Sequence, residues 1–182
     1  MAFLRRIRKK AGRFILKHKI DNHSRNREFV NLDAAQTVGI LFHHIDTENF
    51  GVIKNFVRKL EGEGKKVSAV GYIEKKEVPN FYLVRKGFDF ICLEDLNWYC
   101  SPQTSWMHDF LEKEFDVMIN LSIDKFFPVE YIYALSRAKF KAGKQLANWE
   151  YDDLTVDIKE SRDIQHLINQ ISHYLREINK KQ

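Results

Sequence analysis

The sequence predicts an α/β domain with a doubly wound, mostly parallel sheet of the Rossmann-like kind, preceded by a basic amphipathic helix. Two observations predict the sheet. Short apolar runs rich in strand formers recur at 37–44, 67–73, 88–93 and 115–121, with helical-period segments between them, the pattern of βαβ units. The runs are continuous in apolar character instead of alternating, as expected of strands covered on both faces. A third observation, charge, sets the first twenty residues apart. They hold eight Lys and Arg and no acid, so the overall +5 divides into +8 for this arm and −3 for the remaining 162 residues.

In chain order, Phe3, Leu4, Ile7, Ala11, Phe14, Ile15 and His18 fall on one helical face of residues 1–20, with cations on the other. Residues 21–36 are polar and read as a connector that wraps the body. TVGILFHH at 37–44 is the first strand. Asp46 or Thr47 caps a helix bearing Phe50, Ile53, Phe56, Val57 and Leu60, which Gly62 and Gly64 end, and 67–73 is the next strand. Residues 80–85 read as a short extra strand or an excursion, 88–93 as a third core strand, and 98–102 as loop. Thr104 or Ser105 caps a short helix through Trp106, Phe110 and Leu111. The run 115–121 then leads through Asn120, Ser122 and Asp124 into a helix with Pro128 in its first turn and Gly143 as its stop. A strand at 154–158 and a helix capped by Ser161, with Ile164, Leu167, Ile168, Ile171, Leu175 and Ile178 on one face, complete the chain. The domain boundaries are 1–20, 21–36 and 37–182.

Composition narrows function. At 182 residues and 44% hydrophobic the chain buries one core. No apolar run reaches the roughly 18 residues needed to span a bilayer. Cys92 and Cys100 match no zinc or redox spacing and suit a reduced cytosolic protein. The arm lacks the unbroken apolar centre of a secretory signal and the serine content of a transit peptide. There is no G-x-G-x-x-G, Walker A, G-x-S-x-G or H-E-x-x-H motif, and Gly62-Glu63-Gly64 follows a helix instead of preceding one. No cofactor and no metal is implied.

Two sets of residues are candidates. Arg5, Arg6, Arg8, Lys9, Lys10, Arg13 and Lys17 are placed to neutralise phosphates of RNA or, with the apolar face, to lie in the interface of an anionic bilayer. The bland alternative docks that face on the protein's own core. The second set, His44, Glu94, Asn120, Ser122 and Asp124, lies at the carboxyl ends of strands, where open α/β sheets place ligands. His43 and His44 point to opposite strand faces, so they do not form a shared metal site. Arg137, Lys141 and Lys144, at i, i+4 and i+7, either extend a phosphate-binding surface or complement a helix C-terminus. Trp98, Tyr99 and Trp106 are an aromatic group suited to stacking or to packing.

INLSIDKFFPVEYIYALSRAKFKAG, with TVGILF upstream, resembles an uncharacterised family of small proteins from Bacteroidetes. That likeness implies a bacterial cytosolic setting and no assigned activity. FDVMINLS followed by LSRAKFKAG is similar to the amino-terminal half of heptosyltransferase-like glycosyltransferases, which implies a nucleotide- or sugar-binding ancestry. Those enzymes close a second Rossmann-like domain over the donor, and 182 residues leave no room for it. The resulting expectation is a non-enzymatic cytoplasmic protein attached through its cationic helix to RNA or a ribonucleoprotein. Peripheral membrane attachment and an enzyme remnant are the alternatives.

Overall fold

The computed structural model describes residues 2–43, 46–79, 82, 87–147, 149–159 and 161–177, with the side chains of residues 2, 3 and 5 outside that description. Its elements are α1 (Ala2–Asp21), β1 (Thr37–His43), α2 (Thr47–Gly62), β2 (Lys66–Tyr72), β3 (Phe88–Ile91) and α3 (Met107–Glu112). They continue as β4 (Val117–Asn120), α4 (Phe127–Leu135), β5 (Phe140–Lys144), β6 (Leu154–Val156) and α5 (Ile164–Glu177). The six strands form one sheet in the order β3-β2-β1-β4-β5-β6 with every pairing parallel. This is the order of dinucleotide-binding sheets, and it reverses direction between β1 and β4.

Each sheet face buries its own core. One packs Ile40, Phe42, Ile119 and Ala142 under α2 and α5, through Phe50, Ile53, Leu60, Leu167 and Ile171. The other packs Leu41, Val70 and Met118 under α3 and α4, through Phe110, Ile132 and Tyr133. All nine residues of α4 are buried because α1 covers its outer side, with Leu16 set among Phe127, Tyr131, Ala134 and Leu135. The connector does wrap the body. Arg25 pairs with Asp153 at 2.7 Å, Glu28 N–H donates to Lys139 O, and Leu32 N–H donates to Leu175 O, carrying the chain from the α4 face to the α5 face.

Several local expectations are corrected. The helix expected to run from Pro128 to Gly143 stops at Leu135, where Ser136 turns extended (φ −64°, ψ 139°) and its hydroxyl accepts from Ala138 N–H. Phe140–Lys144 is instead a buried central strand. Arg137, Lys141 and Lys144 therefore share no helical face. Lys141 is 1% exposed and donates to Tyr133 O (2.5 Å) and Ala134 O (3.3 Å), holding the last carbonyls of α4 from below. Asp46 caps α2 as expected, accepting from Asn49 N–H at 2.8 Å. The last helix is capped two residues later than Ser161, with Asp163 accepting from His166 N–H. Neither Thr104 nor Ser105 caps α3, which Trp106 precedes without a side-chain cap. Ile178 and, apart from Tyr82, the segment 80–85 lie outside the described residues.

Candidate functional site

The helix α1 presents three stripes, each at spacings of three and four residues. Gly12 and Leu16, flanked by the half-buried Arg8, Ile15 and Ile20, face α4 and the loop after β3. Gly12 is required by that approach, since a Cβ there would lie 2.2 Å from Tyr99 O and 2.8 Å from the Phe127 ring. The seam is fastened at both ends. Arg8 Nε donates to Trp98 O at 2.6 Å and its Nη2 to Asn97 O at 3.3 Å. Lys19 Nζ donates to Tyr131 Oη at 2.6 Å.

The second stripe is apolar and faces outward. Leu4, Ile7 and Phe14 are 63%, 38% and 78% exposed, with Ala11 between them. The third is cationic: Arg6, Lys10, Arg13 and Lys17 are exposed, with Lys9 beside them, and none pairs with a carboxylate among the described residues. The sequence-derived apolar face thus splits. Ala11 and Ile15 turn partly inward, Leu4, Ile7 and Phe14 stay in solvent, and Leu16, absent from that face, does the docking. The Arg5 side chain lies outside the described residues.

The described members of the strand-end set have separate partners. His44 lies outside the described residues. Glu94 pairs with Lys76 at 3.2 Å, both exposed. Asp124 accepts both Nη groups of Arg162, at 3.2 and 2.5 Å, and that guanidinium holds its carboxyl below the usual carboxylate range. Asn120 and Ser122 are buried, the Asn120 side-chain oxygen accepting from Ser122 N–H at 3.0 Å, while the Ser122 hydroxyl has no hydrogen-bond partner among the described residues. Trp98 is exposed, Tyr99 lends its carbonyl to the α1 seam, and Trp106 packs edge-on against Phe110. Those three aromatics form no common platform. Among the described residues no three His, Cys, Asp or Glu side chains are grouped to hold a metal. No described helix is long and apolar enough to cross a membrane.

What the carboxyl edge does carry is a cleft of about 850 Å³ under α1. Leu4, Arg8 and Lys9 form one wall. Tyr72 at the end of β2 with Glu74 beyond it, and Leu93 and Leu96 after β3, form the other. Its floor is Lys125 and Phe126 before α4 with Phe127 and Pro128 of its first turn, and Phe126 stacks on His43 with ring centroids 3.6 Å apart and planes 14° apart. None of Glu94, Asn120, Ser122 or Asp124 lines it. The residues lining this cleft are not those singled out from the sequence, because α1, not a strand end, supplies one of its walls.

Comparison with curated proteins and with solved structures gives no significant match. A comparison with family models matches residues 8–178 to one described as "Family of unknown function (DUF6913)". That span takes in the docked seam of α1 from Arg8 onward, all six strands and α5, so the chain belongs to this family of unknown function.

Proposed function

We propose that the protein is a non-enzymatic binding protein that attaches to an anionic membrane surface through α1. The observation that carries this reading is the outward pair of stripes. A helix docked on its own core by Gly12 and Leu16 still leaves Leu4, Ile7 and Phe14 in water, on the same helix as Lys and Arg that pair with no carboxylate among the described residues. An apolar stripe flanked by cations is what an interfacial helix needs, the former entering the acyl boundary and the latter meeting lipid phosphates. Free Cys92 and Cys100 and the bacterial setting implied by the sequence resemblance fit the cytoplasmic leaflet.

Attachment to RNA or a ribonucleoprotein through the same cations is the second reading, and it assigns no role to the exposed apolar stripe. A nucleotide- or sugar-binding remnant, suggested by FDVMINLS and LSRAKFKAG, ranks third, since Glu94 and Asp124 are already engaged in ion pairs.

Vesicle flotation of the full chain separates the first two. With vesicles containing phosphatidylserine the protein floats, and with phosphatidylcholine alone it stays in the dense fraction. Phe14→Ser lowers the partition coefficient at least tenfold, as burial of one aromatic ring contributes ~2 kcal/mol. R13E/K17E lowers it further and makes it insensitive to salt. Flotation untouched by Phe14→Ser, together with RNA retention lost only in R13E/K17E, would replace the membrane reading with the RNA reading.

A further inference from the structure

We infer that the cleft under α1 binds a small organic phosphate, its phosphoryl group held by Arg8, Lys9 and Lys125 and its apolar body lying against Tyr72, Leu96 and Phe126. Four observations carry this. The cleft sits at the carboxyl edge of a sheet ordered β3-β2-β1-β4-β5-β6, beside the reversal point where such sheets bind ligands, and its volume is that of small-molecule pockets. Its lining is mostly apolar and aromatic, with three cations against one acid, Glu74, among the described residues. Arg8 is held ready. Its Nε and Nη2 are fixed on Trp98 O and Asn97 O, while these bonds leave Nη1 free to donate, and a guanidinium anchored in this way is preorganised for phosphate.

The fourth observation concerns the two helices that begin beside the reversal point. In dinucleotide-binding sheets the helix after β1 receives the phosphate at its N-terminus. Here that position is filled by the protein's own carboxylate, since Asp46 accepts from both the backbone and the side-chain amide of Asn49 at 2.8 Å. The helix after β4 differs. Phe126 precedes α4 without a side-chain cap, and Phe126, Phe127 and Pro128 form the floor of the cleft. The uncapped start of α4, with Glu130 in its first turn, thus lines the same cleft as Arg8, Lys9 and Lys125, and Lys125 Nζ lies 5.9 Å from the Trp149 ring centroid.

The ligand's source is settled by three compounds titrated into the full chain: dihexanoyl phosphatidic acid as a monomeric lipid, adenosine monophosphate as a soluble ester, and inorganic phosphate. Calorimetry gives affinity, and ring-proton shifts of Tyr72 and Phe126 report the place. At least one of the two esters binds more tightly than inorganic phosphate and moves those rings. The lipid alone binding names a membrane source, and the nucleotide alone a soluble one. Arg8→Gln weakens the bound ester about tenfold, as expected for loss of a charge-assisted bond. Because Arg8 also fastens α1, Lys125→Gln, which leaves the seam untouched, is the second variant and weakens it severalfold. Phe14→Ser, outside the cleft, leaves ester affinity unchanged while it lowers flotation, so the two readings fail separately. No binding of either ester, equal binding of inorganic phosphate, or affinity indifferent to both cation substitutions would overturn the inference.

Discussion

Replacing Gly12 with alanine tests whether α1 is part of the body, and the two possibilities give opposite signs. In an undocked helix alanine is better than glycine by about 1 kcal/mol, so the variant would gain helicity and stability. In the docked helix the new methyl would lie 2.2 Å from Tyr99 O and 2.8 Å from the Phe127 ring. Relief requires α1 to retreat by about 1 Å, because carbon contacts are optimal near 3.5–4.0 Å. Retreat uncovers Leu16, now 2% exposed, and lengthens the Arg8 bond to Trp98 O. Burial of a leucine contributes about 2 kcal/mol, and a solvent-facing bond to a carbonyl about 1 kcal/mol. Against the propensity gain of about 1 kcal/mol, docking weakens by a net of about 2 kcal/mol.

Amide exchange of α1 therefore speeds up on the order of 10- to 30-fold in Gly12→Ala, with exchange of β1 and β4 unchanged. Gly51→Ala is the internal control. Its Cβ would meet nothing within 4 Å in α2, so it gains the propensity term alone and raises the melting temperature by a few degrees. Slower exchange of α1 in Gly12→Ala, matching the behaviour of Gly51→Ala, would refute the docked seam.

Three further outcomes follow from buried or capping groups. Burial pushes Asp116 upward, but the Lys139 ammonium at 2.9 Å, with the Thr37 and Gln36 N–H groups and the Thr37 hydroxyl, brings its carboxyl down to about 2. Its contribution is complete above 3.8 and is lost as pH falls toward about 2, so in Asp116→Asn acid titration of stability flattens across that window. Burial, reinforced by Arg25, lowers Lys141 from 10.5 to about 7. Between those values the unfolded chain holds a proton that the folded chain lacks, so stability rises with pH there, and chemical denaturation at stepped pH shows that rise abolished in Lys141→Met. Asp46→Ala removes the α2 cap and lowers stability by about 1 kcal/mol in urea melts, while leaving flotation unchanged.

The parts of the fold legible in the sequence are those where one residue class fills one face. β1, β2 and β4 are nearly unbroken apolar runs, and α2 and α5 bury the residues that their 3.6 period selects. β5 was illegible because FKAGK places a lysine in a central strand. Lys141 belongs there only because α4 ends directly above it with carbonyls to satisfy, a relation between segments that no window of sequence contains. In α1 the greasiest face is not the docked one. The informative residue was Gly12, an interior glycine in an otherwise strong helix, which marks close approach of another backbone. The strand-end carboxylates were legible as polar termini, yet Arg162 and Lys76, which neutralise two of them, come from distant turns.

Because Leu4, Arg8 and Lys9 line the cleft and Leu4 also belongs to the outward stripe, the proposed occupancy of the cleft and the proposed attachment through α1 draw on shared residues. Linkage fixes the sign once the docking state of the bound helix is known. If α1 lies on the membrane while still seated on Gly12 and Leu16, a phosphate ester in the cleft leaves flotation unchanged or strengthens it. If insertion pulls α1 away, Arg8 leaves Trp98 O, the cleft loses a wall, and the ester must weaken flotation by the same factor by which vesicles weaken the ester. Gly12→Ala mimics the second state, since it loosens the seam without altering a charge. Flotation of that variant, with and without saturating ester, measures the coupling directly. Tighter flotation in Gly12→Ala that the ester no longer reverses would identify undocking as the membrane-bound form, and unchanged flotation would identify the seated helix.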